Sequence, residues 1–157
     1  MTNIEGEIKG RGRKIGIVVS RFNDIITRRL LEGCLKTLKV KGVNEASVTV
    51  VWVPGSFEIP LVAKKLAAKR SVQCVICLGA VIRGETFHFD LVAREAASGI
   101  SQVALESGKP VIFGVITTDT IGQADERSGN DGNNKGSEAA EVALEMVDVF
   151  NQLKKMT

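Results

Sequence analysis

The stretch Val72–Ile82 reads VQCVICLGAVI and is one of four runs that are rich in valine and isoleucine. Continuous apolar runs of this kind are typical of strands that are covered on both faces of a parallel sheet. The other three runs are Lys14–Ser20, Ser47–Val53 and Pro110–Thr118. Segments with helical spacing of apolar residues alternate with these runs, an order that requires right-handed crossovers. The sequence therefore predicts an α/β fold with a four-stranded parallel sheet.

Apolar residues at helical spacing predict four helices, which span Ile26 to about Gly42, about Glu58 to Arg70, Phe89 to Ser107, and about Ser137 to Lys154. A further short helix precedes the stretch Ser128–Ser137 (SGNDGNNKGS). The turn-forming residues of that stretch fit either a lid or a simple hinge. Residues 1–10 alternate like a half-buried strand, which predicts an N-terminal arm that pairs with a neighbouring subunit.

Composition limits the functions that this chain can have. Its 157 residues are 44% apolar and 25% charged, and 21 basic against 18 acidic residues give a net charge of +3. These values are typical of one globular domain, here residues 1–157, and the weak, evenly spread charge argues against a nucleic-acid partner. One histidine excludes a multi-histidine metal site. The apolar run Cys74–Ile82 is about half as long as a membrane span, and Met1–Gly10 lacks a signal-peptide pattern, so we expect a cytoplasmic protein with no membrane partner.

The three cysteines are Cys34, Cys74 and Cys77, and the last two form a C-x-x-C pattern. Redox C-x-x-C motifs begin helices, whereas Cys74 and Cys77 lie in a predicted strand, where residues three apart point to opposite faces. We therefore expect buried core thiols.

Candidate site residues follow the predicted strands, because ligands of open parallel sheets bind beyond the carboxyl ends of the strands. Phe22 and Phe57 lie at strand ends and Phe113 lies within the fourth strand, and each could stack on a planar ring or fill the core. His88, the only imidazole, opens a predicted helix and could be an acid/base or a structural group. Gly84, Glu85 and Thr86 precede that helix start, where an anion could bind.

Arg127 could hold a phosphate through its fork of donors or merely solvate a helix. Neither G-x-x-x-x-G-K-[ST] nor a strand-to-helix G-x-G-x-x-G occurs, which argues against a nucleotide site. From the residues alone, the prediction is a small-molecule site for a phosphate and a planar ring.

Four ordered blocks make the chain recognisable. They are Val19–Asn23 (VSRFN), Val53–Pro60 (VPGSFEIP), Gly79–Asp90 (GAVIRGETFHFD) and Phe113–Thr118 (FGVITT), followed by Glu126, Arg127 and Asn134–Gly136 (NKG). Together they resemble the 6,7-dimethyl-8-ribityllumazine synthase family over nearly the whole chain. The resemblance implies a flavodoxin-like three-layer α/β/α sandwich and the penultimate step of riboflavin biosynthesis. In that step a ribitylamino-pyrimidinedione amine joins 3,4-dihydroxy-2-butanone 4-phosphate through an imine, loss of phosphate and ring closure.

The resemblance also implies roles for individual residues, with no cofactor and no metal. Phe22 would stack on the pyrimidine and His88 would be the acid/base. Phosphate would be bound by Glu85, Thr86 and Arg127. The remaining substrate pocket would be formed by Asn23, Gly55, Ser56, Phe57, Glu58, Val81, Ile82, Phe113 and Lys135.

Assembly is a further implication, because active sites of the family lie between neighbouring subunits of a pentamer. Phe113, Arg127 and Lys135 would then serve the adjacent subunit. Twelve pentamers form a hollow shell in some members, and riboflavin synthase is an implied partner enzyme. The chain departs from the family at Gln123–Asn130 (QADERSGN), where Asp125 puts a charge at a commonly apolar position, so the packing of this short helix needs a structural explanation.

Three other functions remain as alternatives. They are an archaeal-type riboflavin synthase of related fold, a flavodoxin-like flavin-binding module without turnover, and a shell protein that has lost activity. The retained His88, Arg127 and Phe22 argue against the last of these.

Overall fold

The computed structural model of the chain describes residues 1–156 and contains a four-stranded parallel sheet. The strands are β1 Ile15–Ser20, β2 Val48–Val53, β3 Cys74–Ile82 and β4 Val111–Thr118, in the spatial order β2-β1-β3-β4. Ile17 lies between Val50 and Ile76 in the parallel register. All four predicted strands are thus confirmed, each shortened by at most two residues at its start.

Helices cover both faces of the sheet. They are α1 Asp24–Val40, α2 Ile59–Ala67, α3 His88–Ser107, α4 Ile121–Ser128 and α5 Lys135–Lys154. Helices α1 and α5 pack together on one face, and α2 and α3 pack together on the other. The predicted three-layer α/β/α sandwich is therefore confirmed. Among the helices of residues 1–156, none has the length and apolarity to cross a bilayer.

Two apolar layers lie on opposite sides of the sheet, and the strand β3 contributes to both. Cys34 and Cys74 lie in the layer under α1 and α5, whereas Cys77 lies in the layer under α2 and α3. Burial raises the pKa of each thiol to about 12. The prediction of core thiols on opposite faces is therefore confirmed.

The segment between α4 and α5 is fixed by a buried side chain at its end. Asn134 is only 5% exposed, and its amide nitrogen donates to the carbonyl oxygens of Arg29 and Ser128, each at 3.0 Å. Its carbonyl oxygen accepts from the backbone N–H groups of Gly136 and Ser137. This cap starts α5 two residues earlier than the apolar pattern predicts. The stretch Ser128–Ser137, for which the sequence allows a lid or a hinge, is thus tied near its end to α1.

The charge at Asp125 is explained by an ion pair. Arg29 Nη1 of α1 lies 2.9 Å from Asp125 Oδ1. Ser128, which also departs from the family, is buried and donates from Oγ to the carbonyl oxygen of Ala124 at 2.9 Å. At position 125, α4 therefore contacts α1 through an ion pair rather than through an apolar side chain, and the Ser128 hydrogen bond lies within α4.

Residues 1–10 form neither helix nor strand in the described chain and pack against α5. The backbone N–H of Glu7 donates to Asp148 Oδ2 at 3.0 Å, and Gln152 Nε2 donates to the carbonyl oxygen of Glu5 at 2.9 Å. Ile4 and Ile8 are half-buried, as the alternation predicts. The predicted strand is absent from the isolated chain because it has no partner strand there, and its pairing with a neighbour stays a prediction.

Candidate active site

A cleft of about 730 Å³ lies at the carboxyl ends of β1, β2 and β3. It is lined by Phe22, Pro54, Gly55, Ser56, Phe57, Glu58, Ala80, Val81, Ile82, Gly84, Thr86, His88, Phe89, Leu91 and Val92. Its place fits the rule for open parallel sheets, since β2 and β3 lie on opposite sides of β1 and their connections diverge there. We call this cavity the first cleft.

Phe22 and Phe57 present their rings to this cleft and not to the core. Their exposed fractions are 71% and 58%, which makes the core-filling alternative wrong for both. A backbone hydrogen bond holds the loop that carries Phe22 against the segment after β2, since the N–H of Phe22 donates to the carbonyl oxygen of Pro54 at 3.1 Å. Asn23 has a left-handed backbone (φ 59°), and its amide nitrogen donates to the carbonyl oxygen of Ala80 at 2.9 Å. Asn23 does not line the cleft; it ties the start of α1 to β3.

The segment after β2 is a tight 3₁₀ turn over Ser56–Glu58. Ser56 is 5% exposed, and Glu58 is exposed at the cleft wall. A Cβ at Gly79 would lie 2.6 Å from Ser56 Oγ and 3.0 Å from Ser20 Oγ, so glycine is required for this approach. Within residues 1–156, Ser20 Oγ is the one buried side-chain polar atom without a hydrogen-bond partner.

The segment that joins β3 to α3 brings His88 and Thr86 to the cleft. His88 is exposed and is the first residue of α3. Its backbone N–H lies 3.4 Å from Thr86 Oγ1, and no side chain caps the helix. An uncapped first turn leaves amide groups that favour an anion. Glu85 is exposed but does not line the cleft with its neighbours.

A second cleft of about 500 Å³ contains the remaining predicted residues, Phe113, Arg127 and Lys135. Arg127 Nη1 donates to the carbonyl oxygen of Gln123 at 3.0 Å and lies 3.9 Å from Glu126 Oε2, which leaves the N–H groups on Nε and Nη2 for a ligand. Lys135 Nζ lies 2.9 Å from both carboxylate oxygens of Glu138.

The two clefts share no lining residue, so one chain does not bring all the predicted groups together. The reason is the position of Phe113 in β4. Phe113 precedes the end of the strand by five residues, which is roughly 16 Å of strand from the edge where the first cleft opens. Its ring is 48% exposed, so the core-filling alternative is wrong here too.

Several cleft residues escape prediction from the sequence, above all Leu91, which is 54% exposed. Leu91 lies off the apolar stripe by which α3 packs on the sheet, and an apolar residue on a polar helix face is the signal that could have found it. Phe89 and Val92 belong to that stripe and reach the cleft because they lie in the first turns of α3. In the described part of the chain, no three histidine, cysteine, aspartate or glutamate side chains are grouped as metal ligands would be.

A known family matches most of the chain. The family model of 6,7-dimethyl-8-ribityllumazine synthase matches residues 12–151 of the 157. That range contains the four strands and every residue that lines either cleft. The chain belongs to the 6,7-dimethyl-8-ribityllumazine synthase family and is an enzyme of riboflavin biosynthesis.

Proposed function

We propose that one active site is assembled from the first cleft of one subunit and the second cleft of its neighbour. There, 5-amino-6-(D-ribitylamino)uracil would condense with 3,4-dihydroxy-2-butanone 4-phosphate to 6,7-dimethyl-8-ribityllumazine. The observation that carries the proposal is the division of the predicted residues: His88 and Phe22 line one cleft, and Arg127 and Phe113 line another. Neither cleft alone has both the imidazole of His88 and a basic side chain for the phosphate.

The amine substrate binds in the first cleft. Phe22 and Phe57 supply flat faces for its heterocycle, and the rings are already exposed for stacking. The backbone groups of Val81 and Ile82 lie at the end of β3, where they meet the polar edge of the heterocycle. Ser56 and Glu58 supply a hydroxyl and a carboxylate for the ribityl hydroxyls.

The phosphate of the second substrate binds at the start of α3. The backbone N–H groups of Glu85 and Thr86 and the dipole of α3 favour the dianion. Arg127 of the neighbouring subunit completes the site with charge-assisted hydrogen bonds. Fixed donors of this kind hold the charge that develops as phosphate leaves. Phe113 and Lys135 of the neighbour close the pocket.

His88 moves the protons of imine formation and ring closure. Within residues 1–156 its imidazole has no hydrogen bond or ion pair, so it is available to the reactants. Proton transfer contributes about 10²- to 10⁴-fold, and holding two reactants together can contribute more, so His88→Ala slows turnover without abolishing it. Wild-type rates for that variant across the pH range would remove His88 from the mechanism.

A site shared between neighbours requires an oligomer, and the surface of the chain supports one. Large apolar side chains are exposed on the side of α2 and α3, including Leu61 at 69% and Leu105 at 83%. We propose that five subunits form a ring and that twelve such rings build a shell. Residues 1–10 would pair with a neighbouring subunit, and riboflavin synthase would be a partner enzyme. We also propose that residues 1–157 act as one domain and work in the cytoplasm, where three unpaired thiols are typical.

Mixed assemblies test the shared site. His88→Ala and Arg127→Ala are co-expressed in equal amounts, and lumazine formation from the two substrates is measured. With random mixing, roughly a quarter of the sites combine a wild-type His88 with a wild-type Arg127 from the neighbour, so activity recovers to about that fraction. If each site lay within one chain, no site would contain both groups and no activity would be recovered. Light scattering on the same samples gives the number of subunits.

A further inference from the structure

Arg83 is the first residue after β3, and its guanidinium contacts three groups on two segments. Its Nε lies 2.7 Å from Asp119 Oδ1, in the turn between β4 and α4, and its Nη1 lies 3.5 Å from Asp90 Oδ2, in the first turn of α3. Its Cζ lies 4.3 Å from the centre of the Phe89 ring. The backbone N–H of Arg83 donates to the carbonyl oxygen of Thr118 at 2.8 Å.

These contacts add polar contacts to the beginning of α3, where Phe89 and Val92 pack on the apolar layer under α2 and α3. Residues 83–88 are exposed, and no side chain caps the helix. The backbone N–H of His88 donates to the Thr86 hydroxyl at the long distance of 3.4 Å. Asp90 and Phe89 lie in the same helical turn as His88. The guanidinium of Arg83 contacts both of their side chains and joins this turn to Asp119.

We propose that Arg83 is a positioning residue for the condensation, which it serves by holding the first turn of α3 so that His88 faces the reactants. It touches neither substrate. The inference rests on the proposed role of His88 as the acid/base.

Arginine suits this task for two physical reasons. Its planar fork can meet two carboxylates in different directions, and its flat face can stack on a ring, whereas a lysine ammonium is a single charge that does neither well. Exposed ion pairs contribute little to global stability. A misplacement of about 1 Å can nevertheless cost up to 10²-fold in rate. Loss of Arg83 therefore slows the reaction more than it destabilises the protein.

The test is a double-mutant cycle on the assembled enzyme. Arg83→Gln lowers kcat about tenfold while KM for the amine substrate and the thermal midpoint stay close to wild type. In a His88→Ala background the same change has little further effect, because Arg83 acts through His88. Arg83→Lys does not rescue the rate. Arg70→Gln, an exposed arginine after α2 that lies away from both clefts, is the matched control and keeps the wild-type rate.

Two results would overturn the proposal. One is a wild-type kcat for Arg83→Gln, and the other is a loss of equal size in the presence and absence of His88. Asp119→Ala, which removes the shortest contact and leaves Arg83 in place, gives a second measure with an expected loss of about threefold. A wild-type rate for His88→Ala alone would instead count against the acid/base role itself.

Discussion

Gly136 is the glycine of the described chain at which an added Cβ would meet the nearest neighbouring atom. It is the second residue of α5, and a Cβ there would lie 1.9 Å from the carbonyl oxygen of Leu30 and 2.6 Å from its carbonyl carbon. Ordinary contact begins at 3.4 Å, so α1 and α5 would have to separate by about 1.5 Å. Both neighbouring atoms belong to the backbone and cannot turn aside. We place the cost at the upper end of the range for overpacking, about 3 kcal/mol.

Alanine also stiffens the unfolded chain, which offsets roughly 0.5–1 kcal/mol of that cost. Gly136→Ala should therefore destabilise by about 2 kcal/mol, a fall of roughly 4–8 °C in the thermal midpoint for a chain of this size. Gly122→Ala is the matched control, because Gly122 is also the second residue of its helix and its nearest neighbour, Thr120 Oγ1, is at 3.8 Å. That variant should be as stable as wild type or slightly more so.

The assay is urea and thermal unfolding at one protein concentration, followed by the fluorescence of Trp52. This is the sole tryptophan, and it is half-buried on β2 beneath the guanidinium of Arg28. A fixed concentration is needed because subunit association shifts the midpoint. If the Gly136→Ala and Gly122→Ala variants unfold at the same midpoint, the close approach of α5 to Leu30 does not require glycine at position 136.

Three further predictions concern buried groups and the N-terminal arm. Asn134→Ala should cost about 1–2 kcal/mol through loss of the α5 cap, and Asn134→Asp should cost at least as much in the same unfolding assay, because its carboxylate keeps the cap but has no hydrogen to donate to the carbonyl oxygens of Arg29 and Ser128. A thiol reagent at pH 8 should modify none of Cys34, Cys74 and Cys77 in the folded protein and all three after unfolding. Because burial raises the pKa of these thiols from 9.0 to about 12, the free energy of unfolding should fall as the pH rises through that interval, and alkaline unfolding of the wild type against its cysteine-to-alanine variants measures the effect. Asp148→Ala should free residues 1–10 for tryptic cleavage, whereas Glu32→Ala on α1 should not. The hydrogen bonds from the Glu7 N–H and Gln152 lower the pKa of Asp148, so residues 1–10 should stay bound above pH 3.8 and be released as the pH falls through the lowered pKa.

The sheet could be predicted from the sequence because its determinants are local. Six consecutive buried residues form β1, and eight of the nine residues of β3 are buried, so both read as unbroken apolar runs. The edge strand β2 is only half-buried along most of its length, and its valines still identify it. Helix ends were less predictable, since α5 begins after its cap Asn134, whose side chain is held by the carbonyl group of the distant Arg29.

Contacts between distant segments could not be predicted. The pairing of Asp125 with Arg29 joins residues 96 positions apart, and nothing in the local pattern of either helix indicates it. Gly33 looks like a helix-weakening residue in the sequence, yet a Cβ there would lie 2.4 Å from Asn134 Oδ1. In both cases the reason for the residue is another element of the fold.

The phenylalanines separate what the sequence can determine about the site from what only the fold can. Phe22, Phe57 and Phe113 are equivalent in the sequence, since each is an aromatic residue at or in a strand, and each is exposed in the folded chain. Phe22 and Phe57 share a cleft because β1 and β2 are neighbours whose carboxyl ends meet at one edge. Phe113 lies in the first half of β4, on the far side of β3, and no rotamer can carry its ring across that distance. Both clefts thus expose these aromatic rings to water, two in the first cleft and one in the second. Contact between two copies of the chain would bury these rings, which is favourable for apolar surface. The order β2-β1-β3-β4 thus keeps Phe113 apart from Phe22 and Phe57 within one chain, which supports the proposal that a neighbour completes the site.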